Sequence, residues 1–285
     1  MPKINLFAYL DHSKLYRLIL STMLSATLCS CFYTGETNLE GIDTTDIYQL
    51  ENIRVQARVA PSSHPSGSPI RTQALQESAL SMGAQSGLAW ASTRMNTRMS
   101  DDRKYLDTIF NFNGMMLTHG VIPPVLVEGD FSLNLADPNT IRVADRTYKI
   151  VKQARFATTP PNWREYLWLQ YPAPRLPDRT LLPRTLSEQR VWREGIRAGW
   201  ERGIQQGYSI FQENMARLKR DFRGMILYRK LLQERMISPP FVSRTELGVT
   251  GDGSDMRIND QVLRIVELPQ LQTSAKGWKA IVVKQ

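Results

Sequence analysis

The sequence predicts an α+β protein in which helices, one of them long and laddered with glycine, pack with a small antiparallel sheet. Three observations carry that prediction. No proline interrupts the chain between Pro183 and Pro239, and within that stretch Gly195, Gly199, Gly203 and Gly207 recur at strict four-residue intervals. A second helical stretch earlier in the chain has its own stripe of small residues, and between Val125 and Phe156 the pattern changes from helical to alternating.

The first element is a leader. Lys3, Lys14 and Arg17 precede an apolar run from Leu18 to Leu28, eleven residues long. That is short of the ~20 residues a membrane-spanning helix needs and suits the apolar region of a signal peptide. The run ends in Leu28-Cys29-Ser30-Cys31, which resembles a bacterial lipobox, with an aliphatic residue at −3, a small residue at −1 and then the cysteine. The resemblance implies that residues 1–30 are removed and that Cys31 becomes the first mature residue, with lipid on its thiol and its new amino group. Several acyl chains on one residue anchor firmly where a single chain binds only marginally. Cys29 then leaves with the leader, and the mature chain has no free thiol, disulfide or cysteine metal site. The competing cut, after Ala26, would leave both cysteines in a soluble protein. Phe32 stands where many lipoproteins retained at the inner membrane have Asp, which favours the periplasmic face of the outer membrane. No cofactor is expected besides this covalent lipid on Cys31.

Residues 31–70 read as the lipidated N-terminus and a flexible tether. Residues 32–51 hold Glu36, Glu40, Asp43, Asp46 and Glu51 with no base, and PSSHPSGSP, residues 61–69, is a linker by composition. As a coil, these residues would reach ~35 Å root-mean-square. IRVQARVA, residues 53–60, reads as a short strand, either part of a bland tether or a docking strand for a partner. Residues 71–285 are expected to form a single α+β periplasmic domain, and the 42% hydrophobic residues of the whole chain suit a globular core.

From Thr72 to Met99 the pattern is helical, with Ala79, Gly83, Gly87 and Ala91 on one face. Ser100 is the expected cap of a second helix, whose apolar positions are Tyr105, Ile109, Phe112 and Met116. VLVEGDFSLNL, TIRVA and TYKIVKQARF then read as an antiparallel meander, with turns at Asp137-Pro138-Asn139 and Asp145-Arg146. PPNWREYLWLQYP reads as a short aromatic helix between prolines. Thr185 and Glu188 have the spacing of a capping box, and a very long helix, or two in series, is expected to follow. Its glycine ladder gives way to a heptad-like seam at Tyr208, Phe211, Met215, Leu218, Phe222 and Met225. The end of the chain reads as a hairpin with glycine and Asn-Asp turns, followed by a last strand.

The ladder calls for a physical reason, since glycine in a helix interior costs about 1 kcal/mol relative to alanine. Charged residues among the glycines exclude a membrane span, which leaves close helix packing. The expected partner is the stripe Ala79, Gly83, Gly87 and Ala91. Leucine at Gly199 or Gly203 should then overpack the contact, while alanine is expected to be mild because helix propensity rises.

Catalytic spacing is absent: no HExxH, GxSxG, P-loop or GxGxxG pattern occurs, and there is no Cys/His cluster for a metal. Of the histidines that outlast the leader, His64 lies in the linker and His119 beside a helix end. Glu128 and Asp130 share a strand face and form the best acid/base pair, though a solvated strand edge explains them as well. GDGSD, residues 251–255, reads as a tight turn, since a calcium loop would need an oxygen ligand where Met256 stands. No catalytic or metal site is therefore expected.

The formal charge is +9, and between Arg175 and Lys230 there are thirteen Lys or Arg against six acids. An export signal places that surface away from nucleic acid, so anionic headgroups or an acidic neighbour are the expected counterions and no direct nucleic-acid contact is expected.

NWREYL, WREGIRAGWERGIQQGYSIFQENMARLKRDFRGMILYRKLL, ISPPFV and LGVTGDGSDMRINDQVLRI, in this order and after the lipobox, resemble the DotC family. These are outer-membrane lipoproteins of type IVB (Dot/Icm) secretion systems and of related conjugation machines. The resemblance covers roughly residues 70 to 270. It implies a structural, non-catalytic subunit at the outer membrane, in contact with membrane lipids, a DotD-like lipoprotein and a DotH-like subunit, in multiple copies within a large ring assembly. Cys31 is the functional residue it carries over. The rival reading is a lipid-anchored periplasmic enzyme acting on the cell wall.

Overall fold

The structure, a computed structural model, describes residues 42–54, 68–137 and 139–279, which fall within one compact unit. The leader, Cys31, His64, most of IRVQARVA and most of the last expected strand lie outside the described residues. The protein is α+β: helices carry three separate two-stranded antiparallel sheets.

Two long helices dominate. Helix α2 spans Pro69–Asp101 and α5 spans Leu186–Gln233, 48 residues without a break, so the two-helix alternative is excluded. At 1.5 Å per residue α5 is about 70 Å long. Its capping box forms as its residue types dictate. Thr185 Oγ1 accepts from the Glu188 N–H at 3.2 Å, and Glu188 Oε2 accepts from the Thr185 N–H at 3.4 Å. The Glu188 carboxylate also accepts from Arg71 Nε at 2.7 Å, which ties the start of α2 to the start of α5. The C-terminus closes with the two backbone bonds of a Schellman motif: the Met236 N–H to Leu231 O at 2.8 Å and the Arg235 N–H to Leu232 O at 3.1 Å. Arg235, not glycine, takes the left-handed position there, at φ 57°.

The short helix α1 (Ile47–Glu51) corrects the tether expectation over residues 42–54. Asp46 caps it by accepting from the Tyr48 N–H at 2.9 Å. Leu50 and Ile53 are completely buried with Leu75, Met82, Trp192 and Ile196, and Trp192 Nε1 donates to Leu50 O at 2.8 Å. Glu51 accepts from Arg197 Nε at 2.6 Å. The scattered apolar residues of this acidic stretch, which a tether does not need, seat it on α2 and α5.

Helix α3 (Arg103–Ile109) is shorter than expected. Ser100 does not cap it, because α2 runs on through Asp101, and Phe112 and Met116 lie beyond its end. The Asn113 N–H donates to Asn111 Oδ1 at 3.0 Å, and this local turn chemistry competes with helix continuation. Phe112 is nonetheless buried, edge-on to Phe222 of the α5 seam with ring centroids 5.1 Å apart. Helix α4 (Trp163–Leu167) carries its own capping box through Asn162 and Glu165.

Strand β1 (Val121–Ile122) pairs with β4 (Arg155–Phe156), and β2 (Val125–Asp137) with β3 (Thr140–Lys152). The expected three-strand meander is thus corrected to a two-strand hairpin. Asp145-Arg146 makes no turn, and Arg146 pairs with Asp130 in the middle of the ladder. Phe131 takes φ 51° without changing the register, which shifts only near the ends of the ladder, between Val125 and Leu126 and between Leu135 and Asp137. Strands β5 (Phe241–Gly251) and β6 (Met256–Glu267) form the expected hairpin, but Asn259-Asp260 is not a turn. Asn259 at φ 58° and Gly248 at φ 77° mark a bulge where the register shifts.

Three apolar clusters follow α5 from end to end. Leu50, Leu75, Trp192 and Ile196 belong to the first, Phe112, Trp163, Leu218 and Met225 to the second, and Leu126, Tyr228, Leu231 and Ile237 to the third.

Candidate interaction surfaces

The structure places the glycine ladder of α5 against α2. A Cβ built on Gly195 would lie 2.7 Å from Ala79 Cβ, and one on Gly207 3.0 Å from Ala91 Cβ. At the two central rungs the neighbour is backbone: a Cβ on Gly199 would fall on Leu80 O and one on Gly203 on Ala84 O. The relation is reciprocal, since a Cβ on Gly83 would fall on Ile196 O and one on Gly87 on Trp200 O. Four glycine hydrogens therefore point at four carbonyl oxygens, the arrangement of Cα–H···O contacts between helices. The pairing rises in step along both chains, so α2 and α5 are parallel. Ala84 and Leu80, outside the stripe of small residues, supply the closest backbone because the glycines of one helix settle between turns of the other.

Further along α5 a polar centre fixes the second element of the surface. Asp221 is fully buried. Its carboxylate accepts from Lys152 Nζ of β3, from Arg220 Nε at 3.0 Å and from the Tyr166 hydroxyl of α4 at 3.0 Å. Burial alone would raise its pKa, but these donors outweigh it and hold the group below the usual carboxylate range. Burial, with the Asp221 charge adding to it, drives the Tyr166 phenol strongly upward, so it stays a donor. One carboxylate thereby joins α5, α4 and the base of the β2–β3 hairpin. Gly224, one turn on, lets β2 cross the helix: a Cβ there would sit 2.6 Å from Leu126 O. Neither residue was singled out by the sequence. Gly224 lies outside the four-residue ladder, and an Asp amid arginines reads as a solvated helix face.

The outer parts of the two long hairpins are open. At the base of β2–β3, Leu126, Tyr148 and Ile150 pack on Tyr228 and Leu231. Beyond it Phe131 is 77% exposed and Leu133 72%, with Ile141 and Val143 exposed beside them and Leu133 directly opposite Val143. On β5–β6, Val249 faces Ile258 across the ladder, 65% and 66% exposed, and Leu247 and Met256 are exposed next to them. That hairpin is held at its root by the Ser238 N–H donating to Gln270 O at 2.9 Å and the Gln270 N–H to Ser238 Oγ at 2.9 Å. Each two-stranded arm also leaves one hydrogen-bonding edge of each strand without a strand partner among the described residues. Apolar patches and open edges of this kind mark sites of protein association.

Glu128 accepts from the Tyr148 hydroxyl at 2.9 Å and lies 3.8 Å from Arg146, whereas Asp130 is exposed on the same strand. His119 is exposed in a short 3-10 turn at φ 63°. Asp252 spends its carboxylate on its own turn, accepting from the Ser254 and Asp255 N–H groups at 2.8 and 3.0 Å. The bond from the Ser254 hydroxyl, together with those two, lowers its pKa. No described helix is long and apolar enough to cross a membrane.

By form, the described chain is a close-packed parallel helix pair that carries two open β arms. Residues 69–280 match the model of a family described as type IV secretory system, conjugal DNA-protein transfer, and the chain belongs to that family. The match starts with α2 and takes in both arms. No curated protein matches the chain.

Proposed function

We propose that this member of the conjugal-transfer family is a structural, non-catalytic subunit of DotC type, anchored by lipid on Cys31 at the periplasmic face of the outer membrane. In this reading it works in multiple copies within a ring-shaped core complex, beside a DotD-like lipoprotein and a DotH-like subunit, without touching nucleic acid. The pair of open β arms on a rigid helical spine is the observation that carries it. Exposed apolar pairs such as Val249 with Ile258 are costly to leave in water and gain by meeting a partner. The leader and lipobox support the anchor, and the family match supports the type IV setting.

The test joins both ends of the proposal. Val249→Glu with Ile258→Lys, opposite charges directly across the ladder, should leave folding stability within about 1 kcal/mol. It should also lower co-purification with envelope partners and conjugal transfer or secretion at least tenfold. Cys31→Ser should lose fatty-acid labelling and leave the outer-membrane fraction. Glu128→Gln with Asp130→Asn should transfer normally; a collapse there, with assembly intact, would favour the cell-wall enzyme instead.

A further inference from the structure

The extended segment that follows α4 is clamped by a single side chain. Asn96 Nδ2 of α2 donates to Leu169 O at 2.7 Å, and Asn96 Oδ1 accepts from the Leu169 N–H at 3.1 Å. Leu169 is buried, so in extended backbone its neighbours Trp168 and Gln170 turn the opposite way, outward. They open on a shallow cavity of about 440 Å³ whose other walls are Ser100, Arg103, Arg164 and Glu165. Its floor is fixed. The Arg164 guanidinium lies 4.2 Å from the centre of the buried Trp163 ring and donates to Asp107 Oδ1 at 2.9 Å. Glu165 spends one carboxylate oxygen on the cap of α4, accepting from the Asn162 N–H at 3.1 Å, and three other groups on the rim are unspent. Trp168 is 41% exposed, and neither its indole N–H nor the side chains of Arg103 and Gln170 make a hydrogen bond or ion pair among the described residues.

We propose that this cavity binds a saccharide, one sugar ring of a glycan lying on the Trp168 indole with its hydroxyls met by Arg103, Glu165 and Gln170. A sugar ring has a face of C–H groups and a rim of hydroxyls. The cavity offers the complement: one flat apolar face, polar at its edge, surrounded by a guanidinium and an amide, each able to make paired hydrogen bonds to neighbouring hydroxyls, and by the Glu165 carboxylate, whose oxygen beyond the α4 cap can accept from one more. Other ligand classes fit less well. A phosphate calls for several converging cations, and here Arg164 is committed to Asp107 while Glu165 adds a negative charge. A purely apolar ligand calls for an enclosed apolar lining. An extended peptide calls for a free strand edge or a row of apolar slots, and Asn96 already occupies both backbone groups of Leu169.

This inference stands apart from the assembly proposal, and its test on the isolated protein leaves that proposal untouched. The full chain in detergent is titrated with chitotetraose, cellotetraose and maltotetraose, followed by calorimetry and tryptophan fluorescence, with circular dichroism to verify each variant's fold. At least one oligosaccharide should bind saturably. Trp168→Ala should weaken it at least tenfold, Trp168→Phe should retain part of it, and Arg103→Ala should weaken it without changing the melting temperature. Asn96 is a positioning residue: Asn96→Ala should weaken binding while a Trp168 that is still present keeps its fluorescence response at saturation. The proposal is overturned if no oligosaccharide saturates at millimolar concentration, if Trp168→Ala binds as tightly as the parent, or if a proline-rich peptide quenches Trp168 where the sugars do not.

Discussion

At Gly199 a methyl group would have to share space with the Leu80 carbonyl oxygen, and at Gly203 with that of Ala84. The sequence-based expectation that alanine is mild there is therefore revised. Alanine gains about 1 kcal/mol of helix propensity, but backbone cannot rotate away as a side-chain tip can, so overpacking at or beyond the usual ~1–3 kcal/mol wins. Gly199→Ala and Gly203→Ala should each lose about 2 kcal/mol or more in urea unfolding. Gly114→Ala, with open space around it, should stay within about 0.5 kcal/mol. Asp221 gives a pH signature. Its folded pKa lies below the unfolded value, so its contribution is present above about pH 4, the unfolded carboxylate range, and is lost as pH falls through the folded value. Asp221→Asn should be less stable at pH 7 by about 1–3 kcal/mol, the cost of leaving donors poorly paired. The low end is expected because Lys152 and Arg220 are partly exposed and can rehydrate. The parent should lose part of its advantage over Asp221→Asn on acidification below pH 4; parallel stability curves for the two would show that the carboxylate's ionisation is not what matters.

Helix α1 shows how far an element can be misread from composition. Five acids in twenty residues hide the apolar positions that bury Leu50 and Ile53 completely. Leu50→Ala should therefore cost about 2–5 kcal/mol in urea unfolding, as large-to-small changes in a core do; a tether would show no change. The long elements were legible because their signals are local: the capping box of α5, the proline-free span, the capped aromatic helix α4 and the β5–β6 hairpin. The polar and backbone centres were not. Asp221 is defined by Lys152, 69 residues away, and Tyr166, 55 away, and Gly224 by β2 crossing over it. The false turn at Asp145-Arg146 and the overlong second helix have opposite causes. At Asp145-Arg146 turn-forming residue types are overruled by pairing across the ladder, and beyond Ile109 an apolar helical spacing is overruled by the local turn at Asn111. Arg235 in the left-handed position of the Schellman motif shows the reverse, a turn formed where no residue type announced it.

For the molecule as a whole, the seam between α2 and α5 joins residues far apart in the chain, since Ala79 meets Gly195 across 116 positions. Because the two helices are parallel, the chain between them has to travel back along their length before α5 can start. It uses that return to build α3, α4 and the β2–β3 arm. The order in time follows. A polypeptide made from its N-terminus exposes α2 first, and at ~5–20 residues per second the ladder that covers it emerges roughly 6–23 s later. During that interval a helix weakened by its own glycines has no mate, and closing so long a loop is entropically slow. The nascent chain thus carries an unsealed seam for longer than most small domains take to fold, which gives a chaperone a window in which to hold it open.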